Sequence, residues 1–414
     1  MGMDVHIEDL PEGWSLVKLK EVAKIRGNKR VREINKVALI PMELIPDSGI
    51  FADYRVVPVE KVKSSTYCEA GDILLAKITP SLENGKQGIV PFDIPNGFAL
   101  ATTEVFPIAP EEDKIDRFFL FYLLKFNKFR QKIIASMTGT TGRQRASKKA
   151  VENLLIPLPP LPEQRKIAEI LRTVDEAIEK TDEAIERTER LKKGLMQRLL
   201  TRGIKHERFK KTELGEIPEE WQVVRLEEVA ERRNETVKPD SIEEVPFVGL
   251  EHIEPGRIKL SQWGSSRNVK SLKSKFHCGD ILYGKLRPYL DKAVIAEFNG
   301  ICSTDIIVIR TKSSKTIPEY LIWIIHSKRF IEYAKKTMKG VNHPRTSWNS
   351  IKQFQLPLPP LEEQKQIAEI LSTVDKKLEL LRQRREKLER VKRGLMKDLL
   401  TGRRRVKHYG DQKI

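Results

Sequence analysis

Basic, amide and hydroxyl side chains are grouped around turns at corresponding places in the two halves of this 414-residue chain. Such side chains donate hydrogen bonds to phosphate oxygens and to the edges of nucleic acid bases. In loops they are equally common as solvated surface residues. The candidates are Lys77, Thr79, Asn84, Lys86, Gln87, Arg143, Gln144 and Arg145 in the first half, and Lys285, Arg287, Tyr289, Asn342, His343 and Arg345 in the second.

The overall charge favours a polyanionic partner. Lys and Arg number 76 against 58 Asp and Glu, which gives a net charge of +18. Nucleic acid and an anionic membrane surface both suit such a charge. The longest apolar stretches are far shorter than the roughly 18 residues of a membrane-spanning helix, and the first ten residues lack a signal-peptide pattern. We therefore expect a cytoplasmic protein that does not enter a membrane.

The chain lacks the sequence signatures of an enzyme that carries its own cofactor. It contains no GxxxxGK[ST] loop for ATP phosphates, no HExxH zinc motif and no glycine-rich dinucleotide fingerprint. Cys68, Cys278 and Cys302 are far apart and have no paired histidines, so we expect buried small side chains rather than a zinc site. We predict no catalytic residue, no metal ligand and no cofactor in this chain.

Four carboxylates also recur at matching positions, Asp72 with Asp280 and Glu104 with Asp305. A metal site is one interpretation. Turn and capping roles are favoured because no histidine or third acid recurs beside them.

An internal repeat organises the whole sequence. Pro157-Leu-Pro-Pro-Leu161 recurs 200 residues later, and 26 of the 45 positions from 157 to 201 are identical in the second copy. The preceding regions repeat more faintly, with Trp14 matched by Trp221 and Gly71-Asp-Ile-Leu by Gly279-Asp-Ile-Leu. We expect both tryptophans to be core anchors. The chain is thus two copies of a variable unit followed by a nearly invariant one.

The invariant units predict two long helices. Apolar residues spaced by three and four continue through 162–200 and 362–400, and each stretch is about 60 Å long as a helix. Because a narrow apolar seam needs a cover, we expect the two helices to pack on each other as an antiparallel coiled coil. Separate docking of each helix on a partner is the alternative.

The variable units combine short β-like runs with a helical stretch at 116–135 and 318–338. We predict an α+β fold with two similar domains containing curved sheets, separated by the two long helices. The predicted segments are 1–155, 156–202, 203–355 and 356–414, with 202–216 as a linker and a basic tail after the second helix.

These features together resemble the specificity subunit of type I restriction-modification systems. The resemblance rests on Pro-Leu-Pro-Pro-Leu-x-Glu-Gln, Ala-Glu-Ile-Leu-x-Thr-Val-Asp and Gly-Leu-Met-x-x-Leu-Leu-Thr, each present twice. It implies two target-recognition domains that read the halves of a split, asymmetric site in double-stranded DNA. The chain differs from the best-known arrangements of that family in that its second helix is followed by the basic segment 403–407 and by no long terminal segment for circular closure of the repeat, so the details of closure stay open.

The resemblance also implies the partners. Two modification subunits would methylate adenine at N6 with S-adenosylmethionine, and restriction subunits would translocate and cleave DNA with ATP and magnesium. Two other interpretations stay open from the sequence: a self-contained DNA-modifying enzyme with duplicated recognition domains, and an RNA-binding or protein-interaction scaffold.

Overall fold

The computed structural model describes residues 10–29, 31, 34–140, 142–312 and 314–406. It divides into two compact units, the first formed by residues 1–183 and 382–414 and the second by residues 184–381. This grouping differs from the four predicted segments because each unit includes half of each long helix. Among the described residues, no helix is long and apolar enough to cross a membrane.

Within the described residues, the first unit contains three small sheets and three short helices. The strand orders of the sheets are β2-β9-β6-β7, β4-β3-β8-β5 and β1-β10, and β3 pairs with β8 in parallel. The strands are β1 (Ser15–Lys18), β2 (Ala23–Ile25), β3 (Lys36–Ile40), β4 (Arg55–Pro58), β5 (Thr66–Glu69), β6 (Ile73–Ala76), β7 (Gln87–Ile89), β8 (Phe98–Ala101), β9 (Val105–Pro110) and β10 (Leu155–Leu158). The helices are α1 (Arg117–Lys125), α2 (Asn127–Ile134), α3 (Lys148–Glu152) and the first half of α4 (Leu161–Arg202).

The second unit repeats this plan. Its sheets are β14-β22-β19-β20, β15-β18-β21-β16-β17, β13-β23 and a hairpin, β11-β12. The strands are β11 (Phe209–Thr212), β12 (Gly215–Pro218), β13 (Gln222–Arg225), β14 (Ala230–Arg232), β15 (Thr236–Val237), β16 (Pro246–Val248), β17 (Gly264–Ser265), β18 (Lys273–Phe276), β19 (Ile281–Gly284), β20 (Ala293–Ile295), β21 (Gly300–Cys302), β22 (Ile306–Thr311) and β23 (Gln355–Leu358). The helices are α5 (Leu226–Val229), α6 (Pro318–Ile325), α7 (Lys328–Lys336), α8 (Trp348–Ile351), the second half of α4 and the first half of α9 (Leu361–Leu399). The second half of α9 belongs to the first unit.

The expected linker at 202–216 is therefore wrong in part, because β11 and the start of β12 lie within it. Gly215 takes a positive φ of 98° at the start of β12, and the Thr212 hydroxyl donates to its carbonyl at 2.8 Å. These local contacts close a hairpin where only a charged connection was predicted.

Helices α1 and α6 form the centre of each core. Residues 119–124 of α1 and 320–325 of α6 are all buried. A helix that is apolar on every side is stable only when protein surrounds it. In the first unit α1 packs with Ile167 and Leu171 of α4 and with Leu399 of α9. In the second unit the corresponding partners of α6 are Ile367, Leu371 and Leu199.

The long helices pair antiparallel within each unit. In the first unit Asp175 lies 2.6 Å from Lys392, and Asp182 lies 2.6 Å from Arg385, so a step of seven up α4 matches a step of seven down α9. In the second unit Lys192 lies 2.6 Å from Asp375. The repeated Thr-Val-Asp and Lys-x-Gly-Leu-Met segments are explained by this pairing, since the Asp of each helix binds the Lys of the other.

The repeated Glu-Gln pair joins each long helix to its domain. Glu163 accepts from the Trp14 indole N–H at 3.1 Å, and Glu363 accepts from that of Trp221 at 2.8 Å. Trp14 and Trp221 are 8% and 0% exposed, which confirms them as core anchors. Gln164 accepts from the backbone N–H of Asp116, just before α1, at 2.8 Å.

The short segment after α9 closes the repeat in the first unit. The Arg405 guanidinium donates to both carboxylate oxygens of Glu163, at 2.9 and 2.8 Å. In the second unit His206, in the linker, lies 2.8 Å from Glu363 in the corresponding position. The sequence left the closure of the repeat open, and in the structure a guanidinium from the segment after α9 reaches the glutamate that the linker histidine contacts in the other unit. Lys407 lies outside the described residues.

Candidate nucleic-acid interface

Two loops meet at the end of a buried strand in each unit. We call residues 77–86, after β6, and 285–292, after β19, the strand-end loops. We call residues 138–140 with 142–145, and residues 339–345, the glycine loops. The strands that precede the strand-end loops are buried along their whole length, so the loops project from a rigid edge.

Backbone hydrogen bonds join the two loops of the first unit. The N–H of Thr79 donates to the carbonyl of Gln144 at 3.0 Å. The carbonyl of Lys77 accepts from the N–H of Ala146 at 2.7 Å, and the N–H of Lys77 donates to the carbonyl of Glu104 at 3.0 Å. The loops that the sequence paired only by position are thus in direct contact.

The second unit repeats this junction. The backbone N–H of Arg287 donates to the carbonyl of Pro344 at 2.8 Å. The N–H of Thr346 donates to the carbonyl of Lys285 at 3.0 Å, and the N–H of Lys285 donates to the carbonyl of Asp305 at 2.9 Å. Identical backbone connections thus support different side chains in the two units.

Each glycine loop needs its first glycine. Gly139 has a φ of 131°, and a Cβ there would lie 2.8 Å from the carbonyl oxygen of Arg143. Gly340 has a φ of 96°, and its Cβ would lie 3.2 Å from the carbonyl of His343. Both φ angles fall where L-residues are disfavoured, so glycine permits the backbone to turn back tightly at these positions.

An arginine in each glycine loop forms a bidentate pair with one of the recurring carboxylates. Arg145 donates to Glu104 at 3.1 and 2.8 Å, and Arg345 donates to Asp305 at 2.9 and 3.1 Å. The hydrogen bonds from the guanidinium groups hold the pKa values of Glu104 and Asp305 below their usual range. The arginine side chains are 55% and 42% exposed, so each pair lies at the surface beside both loops.

Several other candidates project into solvent beside these pairs. Tyr289 is 45% exposed, and Arg287 has a left-handed backbone conformation with a φ of 49° that places it at the corner of its loop. The remaining exposed candidates are Asn84, Arg143, Asn342 and His343. Each of them lies on one of the two loops that contact each other in its own unit.

The structure gives other candidates internal roles. Gln87 is completely buried in β7, where its amide donates to the carbonyl of Phe121 at 2.8 Å and accepts from Arg130 at 2.7 Å. This corrects its expected place at the surface. Lys86 donates to the carbonyl of Ile45 at 2.8 Å and is 22% exposed.

The remaining candidates are partly exposed, and each makes a contact within its own unit. The Thr79 hydroxyl donates to Glu83 at 2.9 Å. Lys77 lies over the Phe106 ring at 5.3 Å, and the Lys285 ammonium is 3.9 Å from Asp305. Gln144 is half-buried and contributes its carbonyl to the loop junction.

Asp72 and Asp280 have the predicted turn role. Each accepts from a backbone N–H three residues before it, Glu69 or His277, at 2.8 Å. Each also pairs with an arginine that the sequence analysis missed, Arg26 or Arg233. Both arginines follow the Trp-containing segment, but only the fold shows their partners. No group of three or more potential metal ligands occurs among the described residues.

Comparison with known proteins identifies the same architecture elsewhere. The model of a family described as "Type I restriction modification DNA specificity domain" matches residues 11–187 and 218–390. The type I restriction enzyme MjaVIII specificity subunit of Methanocaldococcus jannaschii is 30% identical over 98% of this chain and 96% of that protein. The EcoAI specificity subunit of Escherichia coli is 35% identical over 38% of this chain and 27% of that protein.

Solved structures share the fold. The S subunit of a type I restriction-modification system from M. genitalium superposes with a TM-score of 0.60 at 14% identity, over 94% of this chain and 96% of that one. A chain from a structure titled for the assembly and conformational transition of the type I R-M system gives a TM-score of 0.56 at 19% identity. It covers 94% of this chain and 98% of the other.

Proposed function

Because the chain belongs to the family of type I restriction-modification DNA specificity subunits, we propose that each of its two units reads one half of a bipartite, asymmetric site in double-stranded DNA. The observation that carries this proposal is the duplicated junction of a strand-end loop and a glycine loop. The backbone connections are the same in both units, whereas the exposed side chains differ. That combination is what two half-sites of different sequence require.

The loop residues suit the two kinds of contact that DNA recognition needs. Arg143, Arg287 and Asn342 are exposed donors able to reach base edges or phosphates. A bidentate contact with a base contributes roughly 1–3 kcal/mol of discrimination. The net charge of +18 supplies the attraction to the DNA backbone.

The chemistry belongs to other subunits in this proposal. Two modification subunits would transfer the methyl group of S-adenosylmethionine to adenine, and restriction subunits would use ATP and magnesium to translocate and cleave DNA. This chain would select the site and dock its partners, and it would hold none of these cofactors itself.

A repeated exposed patch on the long helices supports docking of two like partners. Leu191 and Val391, 200 positions apart, are 52% and 50% exposed, although both belong to the three-and-four spacing of apolar residues that predicted the buried seam. Gly194 and Gly394 follow one turn later, and a Cβ at either would contact nothing within 4 Å. Glycine inside a helix costs roughly 0.5–1 kcal/mol relative to alanine. Its retention in both copies suits close approach of a partner to each unit.

Selection of DNA by the full-length chain tests the proposal. The chain, co-expressed with its modification subunits, is expected to enrich a split site from random duplex DNA, and binding should weaken steeply with salt. Arg143→Ala should relax one half of the site and Arg287→Ala the other, so each variant controls for its counterpart. Equal loss at both halves, or preference for RNA over duplex DNA, would contradict the proposal.

A further inference from the structure

A basic side chain lies at the C-terminal end of the central helix in each unit. Lys125 is the last residue of α1, and its ammonium donates to the carbonyl of Gly85 at 3.1 Å. His326 directly follows α6, and its Nδ1 lies 2.7 Å from the carboxylate of Asp291. Cations are favoured at this end of a helix because the helix dipole is negative there.

The two basic side chains hold corresponding points of the strand-end loops. Gly85 and Asp291 each lie two residues before the next strand, β7 or β20, and both have a positive φ, 86° and 53°. Each is the position at which the loop turns back into the sheet. A contact at this point fixes the inner side of a loop whose outer side carries exposed residues.

Two hydrogen bonds hold the His326 ring. Its Nε2 lies 3.0 Å from the carbonyl oxygen of Ala293, and its side chain is only 4% exposed. With Nδ1 beside the Asp291 carboxylate, the ring bridges Asp291 and Ala293 at the end of the loop.

Lys125 is held among charges of both signs. Burial is the largest effect and lowers the pKa of Lys125 to about 7; Arg130 and Lys392 lower it further, while Asp175 and Asp47 raise it. Its ammonium also lies 5.8 Å from the centre of the Phe121 ring. The environment of Lys125 disfavours its charge, yet its side chain donates to a loop carbonyl, and this combination indicates a structural role.

Neighbouring lysines reinforce the same side of each loop. Lys86 donates to the carbonyl of Ile45 at 2.8 Å, and Lys292 donates to that of Leu250 at 2.7 Å. These residues follow Gly85 and Asp291 directly. The inner side of each strand-end loop is thus attached to the core by successive donors.

We infer that Lys125 and His326 are positioning residues, each of which holds the strand-end loop of its own unit in the conformation that presents its exposed side chains to DNA. The inference rests on the proposed function and deepens it, because it names what fixes each reading surface. Neither residue contacts DNA. Fixing a loop before binding strengthens recognition by removing the entropy cost of ordering it.

The experiment uses the full-length chain and two readouts. Lys125→Met and His326→Leu remove the donors, while Lys149→Met and His277→Leu make the same changes at exposed sites in the same units. We expect Lys125→Met to lose discrimination in one half-site by about tenfold or more with the other half-site unchanged, and His326→Leu to do the converse. The two control variants should retain both half-sites.

Hydrogen exchange provides the readout that does not depend on DNA. Amides in 79–87 should exchange faster in Lys125→Met only, and those in 285–293 faster in His326→Leu only. Lys125→Gln and His326→Gln keep a donor and cover the case in which the apolar variants fail to fold; they should show the same losses, smaller in size. His326→Lys, which introduces the basic donor residue of the other unit, should restore discrimination.

The outcomes separate the two hypotheses. If the unaltered chain enriches no split site, the proposed function fails, and hydrogen exchange alone decides whether Lys125 and His326 hold the loops. If it enriches a split site while the variants leave half-site discrimination and loop exchange unchanged, the positioning role is overturned. Loss at both half-sites from a single variant, or no rescue by His326→Lys, would also overturn it.

Discussion

Replacing Asp175 with asparagine tests the pairing of the long helices. The Asp175 carboxylate lies 2.6 Å from the Lys392 ammonium and accepts from the Tyr122 hydroxyl at 2.7 Å. The two charged side chains are only 10% and 14% exposed. The substitution preserves shape but leaves the Lys392 charge buried without a counter-ion.

The expected cost follows from that burial. Removing one partner of a buried ion pair destabilises a protein by about 3–5 kcal/mol. For a unit of roughly 200 residues each kcal/mol lowers the melting temperature by about 2–4 °C, so the first unit should melt about 6–20 °C lower. Asp182→Asn is the matched control, since its pair with Arg385 is 42% and 40% exposed and should contribute about 1 kcal/mol or less.

Hydrogen exchange along a urea gradient measures the two units separately. Asp175→Asn should lower the midpoint for peptides of the first unit and leave those of the second unchanged. Adding Lys392→Met should recover part of the loss, because no charge then stays buried alone. If Asp175→Asn costs no more than Asp182→Asn, or if the double variant loses the sum of the single losses, the antiparallel pairing deduced here is refuted.

Three further results are expected. Arg405→Ala leaves the buried Glu163 carboxylate with fewer donors, and it should destabilise the first unit alone by about 1–3 kcal/mol. The same hydrogen-exchange experiment measures this loss. An equal effect on the second unit would argue against closure of the repeat by residues 403–406. Glu104→Gln frees the charge of Arg145, so binding to random duplex DNA should tighten and its salt dependence steepen by about one phosphate contact; titrations at several salt concentrations that show no change would reject this. Burial raises the pKa values of Cys68 and Cys302 to about 12, whereas Cys278 is exposed. Iodoacetamide at pH 8 should therefore label Cys278 in the native chain and leave Cys68 and Cys302 unlabelled, which mass spectrometry can check.

The sequence by itself determined the repeat, the α+β class and the long helices. Helix α4 spans Leu161–Arg202 where 162–200 was predicted, and α9 spans Leu361–Leu399 where 362–400 was predicted. The helical stretches at 116–135 and 318–338 are also present, each divided into two short helices. These features were accessible because the spacing of apolar residues is a local property of the chain. Duplication added the positions of the loops, since it marked equivalent sites without any alignment.

Only the tertiary structure decided which side chains face solvent and which groups they contact. Gln87 and Asn84 are both amides and lie three positions apart, yet Gln87 is buried against α1 and Asn84 is exposed. The partners of Arg145, His326 and Arg405 lie 41, 35 and 242 positions away. Such contacts depend on the path of the chain between the partners. A guanidinium or imidazole also pairs equally well with any carboxylate that the fold brings within reach.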